Sequence, residues 1–215
     1  MAATETTRWQ YNLFCAATGY VKPEIPDWGS NGANPIVNVS WYDAVTYANW
    51  LSIARGLQPV YIIDSVGRSQ LNWSITADLA QNGYRLPSEY EWQYAATHAG
   101  RDTFDYAGSH NLDEVGWYWE NSGNCTYSVA ARKANGLGLY DMSGNVWEWC
   151  WDWYKSDYSS ELATNPTGRG KGSYRVNRGG SWINYAEYCR TSIRGYTSPG
   201  NRNDILGFRL ASSPQ

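Results

Sequence analysis

The spacing of apolar positions divides the chain into a first half with helical period and a second half without it. In "VSWYDAVTYANWLSIARG", Ala44, Val45, Ala48 and Leu51 form one apolar stripe at helical spacing. Ser40 stands where an N-cap belongs and Gly56 where a helix stops. "LPSEYEWQYAATHAG" predicts a second helix: Ser88 and Glu91 make an S-x-x-E capping box, Trp92 and Ala96 face inward, and Gly100 ends it. Short strands are predicted at "PVYII" and "GYRLP". The strongest alternation is "NVWEWCWDWY", which puts Trp147, Trp149, Trp151 and Trp153 on one strand face and Val146, Glu148, Cys150 and Asp152 on the other. Near the C-terminus both periods fail. The run "INYAEYCRTSIRGYTSPGNRNDI", between "RGGSW" and "LGFRL", has neither the helical nor the strand repeat, yet it is rich in tyrosine and isoleucine.

Composition narrows the class. A chain of 215 residues can bury one sizeable core, and nothing reads as a linker, so a single domain over residues 1–215 is expected. Against 17 Lys and Arg stand 20 Asp and Glu, a net charge of -3 with no block of like charge, which argues against nucleic-acid or anionic-membrane partners. The start "MAATETTRWQ" shows no apolar signal segment, and no run approaches the roughly eighteen apolar residues of a membrane span. The chain as it stands is expected to be soluble, with export left open. Cys15, Cys125, Cys150 and Cys189 are far apart, there is no CxxC pair, and His98 and His110 are the only histidines. A His/Cys zinc site is therefore not expected, while two disulfides or four inert thiols both remain open. With 13 Trp and 18 Tyr against 3 Phe, the core should be threaded with polar contacts, because each indole and phenol brings a polar tip inward.

Two carboxylates on one face of the tryptophan strand, Glu148 and Asp152, suggest either acid/base chemistry or a cation site, and buried acids need partners. Nothing in the sequence sets them across a sugar cleft as a glycosidase would require. Burial of a tryptophan layer as scaffold is the simpler reading.

The motifs "PIVNVSWYDAVTYANWLS", "YRLPSEYEWQYAA", "GLGLYDMSGNVWEW" and "RVNRGGSW…LGFRLA" occur in an order that resembles the sulfatase-modifying-factor family, that of the formylglycine-generating enzyme, over about Glu5 to Ala211. The resemblance implies an α+β, C-type-lectin-like fold with two helices, small twisted antiparallel sheets and much irregular chain. Enzymes of that family hold copper with two cysteines just after "RGGS". Here one position matches Cys189, while the position five residues earlier is Asn184. A single thiolate is a poor copper(I) site, so no catalytic residue is expected. The family's ergothioneine-type branch depends on histidine-bound iron and an extra N-terminal domain, neither expected here. No cofactor is required on this reading. The resemblance does imply one structural calcium, held by the side chains of Asp141 and Glu148 and the carbonyls of Gly144 and Val146, a donor mixture that suits calcium. The alternative stays open: Asp141 caps a turn and Glu148 meets an arginine. A second family calcium loop is shortened near "ENSGNCTYSV" and is not expected to bind.

Within the patternless run the positions that break pattern are Ile183, Asn184, Tyr185, Tyr188, Ile193, Gly195, Tyr196, Thr197, Ser198, Asn203, Asp204 and Ile205. Each is a residue type reachable from an asparagine AAY codon by changing adenines alone. Met, Trp, Lys, Glu and Gln, which that route cannot produce, are absent from these positions. Between them stand a frame of Arg178, Gly179, Gly180, Ser181 and Trp182, then Ala186, Arg190, Arg194, Pro199 and Arg202, then Leu206, Gly207, Phe208 and Arg209. This resembles the variable region of proteins diversified by diversity-generating retroelements, here residues 178–209. The resemblance implies a non-catalytic receptor displayed at the cell surface through a lipid anchor outside this chain. Its ligand would be a protein or glycan of variable identity, and a monomer is expected. Tyrosines and small polar residues suit a mutable contact surface on a rigid frame. Arg190, Arg194 and Arg202 are expected to brace the loops through backbone carbonyls. Two alternatives remain: Ile183, Ile193 and Ile205 belong to the core, or the chain is a copper oxidase with a degraded site or an accessory member of the family.

Overall fold

The computed structural model describes residues 1–29, 31–65, 70, 73–156 and 172–212. Four α-helices lie among them: α1 Arg8–Thr18, α2 Trp41–Ala54, α3 Glu89–Ala96 and the short α4 Leu112–Val115. Strands β1 Tyr61–Asp64 and β2 Ser74–Ala77 pair antiparallel, as do β3 Tyr84–Arg85 and β8 Ala211–Ser212. The main sheet has the order β6-β5-β4-β7, built from β4 Trp147–Trp153, β5 Arg175–Arg178, β6 Arg194–Thr197 and β7 Leu206–Gly207. Strands β4 to β6 are antiparallel, and β7 runs parallel to β4. None of the described helices is long and apolar enough to cross a membrane.

Local chemistry explains the helix starts. The Ser40 hydroxyl accepts from the Asp43 N–H, and the Asp43 carboxylate accepts from the Ser40 N–H at 2.8 Å. Ser88 and Glu91 make the same reciprocal pair at α3. Each box satisfies two amide donors that a helix start leaves without partners. Gly56 follows α2 in the left-handed region, whereas α3 stops at Ala96, ahead of the expected Gly100. Helix α1 was not among the expected elements. Its signal was a third capping box, Thr7 with Gln10, a left-handed cap at Gly19, and Tyr11, Phe14 and Cys15 turned inward at i, i+3 and i+4. Trp9 and Leu13 on its outer face hide that stripe.

Strand β4 lies between two packed layers, so both of its faces are buried as far as Cys150. Trp147 and Trp149 join the larger core with Tyr11, Phe14, Ile36, Tyr47 and Phe208. Cys150 joins a second core with Trp92, Met142 and Val176. Indole N–H groups find backbone acceptors inside: Trp41 donates to the Cys150 carbonyl and Trp149 to the Val39 carbonyl, both at 3.0 Å. The chain ends meet. The Ala2 and Thr6 amides donate to the Leu210 and Phe208 carbonyls at 2.7 and 2.8 Å.

Candidate ligand-binding face

Trp147, only 8% exposed, is the point at which the three patternless segments meet. Its indole N–H donates to Asn184 Oδ1 at 2.9 Å, tying down the first segment. A Cβ built on Gly195, in the second, would lie 3.1 Å from its ring. Its backbone N–H donates to the Ile205 carbonyl at 2.8 Å, fixing the third. Trp182 adds a tie from the first segment to the third, its indole donating to the Asp204 carbonyl at 3.1 Å. Two tryptophans thus support a surface whose own backbone has little regular structure.

That surface is accessible at every expected contact position. Ile183, Tyr185, Tyr188, Tyr196 and Asn203 are exposed, and Asn184, Ile193, Gly195, Thr197, Ser198, Asp204 and Ile205 are half-buried. Their neighbours Trp182, Cys189, Thr191, Pro199 and Leu206 are buried. Ile193 and Ile205 also pack against the larger core, so their side chains are shared between interior and surface, while Ile183 stands outward. Asn184 Oδ1 additionally accepts from the Ser181 hydroxyl at 2.7 Å. Gly195 departs from a mutable position: an added Cβ would sit 1.9 Å from Asn177 Oδ1, and the Asn177 amide is held by Thr197.

The arginines brace the face through carboxylates rather than mainly through carbonyls, which corrects the expectation. Arg194 forks onto Glu89 at 2.6 and 2.8 Å and reaches one carbonyl, that of Lys155. Arg202 forks onto Asp43, 2.9 Å on each arm. Arg178 is buried, with Glu89 at 3.5 Å and further bonds to the Ile193 carbonyl and Gln93. The helix-capping Asp43 and the first residue of α3, Glu89, are therefore also the anchors of the C-terminal loops. Arg190 is exposed.

Neighbouring aromatics outside the expected set extend the face. Tyr196 stacks obliquely on Tyr154 at 4.4 Å and meets Tyr174 at 5.2 Å. Tyr185 meets the exposed Trp119 at 6.1 Å, and the Trp119 amide donates to the Asn184 carbonyl. The only signal in sequence was position: Tyr154 directly follows the tryptophan strand and Tyr174 directly precedes "RVNR".

Cys189 is buried, and burial pushes its thiol up to about 12. The left-handed Gly180 packs on it, since a Cβ there would lie 2.7 Å from Sγ. All four cysteines are free thiols. Burial of this kind disfavours the thiolate, the form that attacks or binds metal.

Of the residues expected to hold calcium, Glu148 has partners within the protein. Glu148 Oε1 accepts from Arg209 at 2.7 Å, and Oε2 accepts from Arg209 and from the Trp92 indole. Asp141, left-handed at φ 57°, accepts the Ala130 amide on Oδ2 and keeps Oδ1 without a partner; burial lifts its carboxyl to about 6. Glu5, unremarked in the sequence, completes the cluster by accepting from the Asn145 side chain and the Val146 amide. Among the described residues no group of three His, Cys, Asp or Glu is arranged to hold a metal. The donor set with Gly144 and Val146 thus offers one free side-chain oxygen, and Glu148 meets an arginine. Asp152 accepts the Glu89 amide on Oδ2 at 2.6 Å.

Comparison with known proteins adds to this geometry. The family described as "Sulfatase-modifying factor enzyme 1-like domain" matches residues 1–214. The solved structure of Treponema denticola variable protein 1 superposes with a TM-score of 0.83 at 35% identity, over 98% of this chain and 82% of that one. The "Chaperone protein LppX" of Paenibacillus barcinonensis is 35% identical over 205 residues, 83% of this chain and 70% of its own length. The formylglycine-generating enzyme of Streptomyces coelicolor is 34% identical over 83% of this chain, which spans 52% of that enzyme.

Proposed function

Because the chain belongs to the sulfatase-modifying factor enzyme 1-like family and has its C-type-lectin-like α+β fold, we propose that it is a non-catalytic ligand-binding domain whose recognition surface is the C-terminal face around Trp147. The observation that carries this reading is accessibility: not one of the proposed contact positions is fully buried, while Trp182, Cys189, Thr191, Pro199 and Leu206 beside them are buried and hold the loops to the core. A rigid frame under replaceable side chains is what a recognition surface needs. Likeness to a protein called a variable protein supports the further proposal that a retroelement diversifies the face and that it is displayed at the cell surface. The ligand is then a protein or glycan patch, met by Tyr185, Tyr188 and Tyr196 as broad anchors.

The test is to sequence this gene's 3' end in several isolates together with any nearby near-copy. Expected are differences at the pattern-breaking codons and constancy at the frame. A constant region with no near-copy would overturn diversification and favour the accessory role that the relative named as a chaperone brings to mind. An oxidase reading rests on the relatives named as formylglycine-generating enzymes. It requires copper(I) binding and thiol-dependent oxygen uptake, and neither is expected from a buried Cys189 beside Asn184.

A further inference from the structure

Beside this face, and sharing Ser198 with it, lies a cavity of about 510 Å³ lined by Trp41, Tyr42, Trp73, Trp153, Arg175 and Ser198, with further hydroxyls from Ser74, Thr76 and Ser173. Its size falls within the roughly 300–1,000 Å³ of small-molecule sites. At its wall Arg175 is 4% exposed and lies between two indoles, 3.7 Å from the Trp41 ring and 3.6 Å from the Trp153 ring. The guanidinium donates to the Trp151 carbonyl, and its Nε has no partner. The Trp73 indole N–H, on the same cavity, has none either. A buried cation normally has a carboxylate against it. Among the described residues Asp152 is the one acid that acts on Arg175 from nearby, and its Oδ2 already accepts the Glu89 amide. Burial draws Arg175 down to about 9, as befits a cation without a contacting counter-charge.

We propose that this cavity is a subsite for an acidic sugar, a pyranose ring lying against Trp73 with its carboxylate turned to Arg175. The half-buried Trp73 offers apolar area to the C–H face of a ring, the hydroxyls of Ser74, Thr76, Ser173 and Ser198 suit sugar hydroxyls, and the missing counter-charge among the described residues defines the acid. The subsite deepens the ligand-binding reading by naming one ligand class. It rests on that reading only through Ser198, which both surfaces share.

The experiment is titration of the full chain with D-glucuronate, D-glucose and inorganic phosphate, followed by tryptophan fluorescence and calorimetry. Glucuronate should bind about tenfold or more tighter than glucose, the worth of one charge-assisted hydrogen bond, and phosphate should leave the fluorescence unchanged. Equal binding of glucose, binding of phosphate, or no glucuronate binding overturns the proposal. Substituting Arg175 risks the fold, so two other variants place the site. Ser198→Trp should fill the cavity and abolish glucuronate binding, while the triple variant Tyr185→Ala, Tyr188→Ala, Tyr196→Ala should leave it intact. The reverse pattern would locate binding on the C-terminal face and refute the cavity, a result distinct from failure of the diversification test.

Discussion

Gly195 and Tyr196 are adjacent on β6 and answer opposite demands. The outward Tyr196, 54% exposed, meets the rings of Tyr154 and Tyr174, whereas any side chain at Gly195 must displace the Asn177 amide and press on Trp147. Tyr196→Ala should therefore cost about 0.5 kcal/mol or less, and Gly195→Val about 1–3 kcal/mol, by urea unfolding. Equal costs would mean that the frame yields at 195 and that the position is as replaceable as its neighbour. Asp152 makes a second prediction at this scale. Burial holds its folded carboxyl at about 7 against an ordinary value of 3.8. Between those values the folded chain keeps a proton that the unfolded chain has released, so stability falls as pH rises through that window. Asp152→Asn preserves an acceptor for the Glu89 amide and removes the buried charge. It should raise stability by on the order of 1–3 kcal/mol at pH 8 and by almost nothing near pH 4, measured by thermal melting. A gain independent of pH would assign the effect to packing instead.

Elements are joined to the face through their capping residues. Asp43 closes the box of α2 and receives Arg202, while Glu89 opens α3 and receives Arg194 and Arg178. Glu89→Ala leaves Arg178 buried without its carboxylate, a change worth about 3–5 kcal/mol. Because both arginines sit on β5 and β6, hydrogen exchange should quicken at Arg194–Thr197 more than at α2. Uniform loss of protection would show that Glu89 supports the whole fold and not this strand pair. The boxes at Ser40 and Ser88 were legible because both halves lie three residues apart. The pairing of Glu89 with Arg194 was not, because 105 residues separate them and an acidic first turn already has a local explanation. Helix α1 carried the same kind of local signal, but exposed Trp9 and Leu13 blurred its apolar stripe.

For the molecule as a whole, the decisive contact is the buried meeting of Glu5, Asp141 and Glu148 around Arg209. It unites the two chain ends with the turn before β4, across sequence separations of 61 residues for Glu148 with Arg209 and 140 for Glu5 with Asn145. Patterning alone exposed the alternation of β4 and the irregularity of the C-terminal run, since both are statements about successive residues. It could not show whether Glu148 faces an ion or a guanidinium, because that depends on what the far end of the chain delivers. Three carboxyls share one guanidinium, and burial with mutual repulsion lifts Glu5 and Asp141 above their ordinary range. Calcium would have to pull Glu148 from Arg209 and Trp92. The midpoint of thermal unfolding at neutral pH should accordingly be the same with excess calcium and with chelator. For a chain of this size about 1 kcal/mol of binding would move it by roughly 2–4 °C, well within reach of calorimetry. A lower midpoint under chelator would return Asp141, Gly144, Val146 and Glu148 to a coordinating role and make Arg209 the partner of an emptied site.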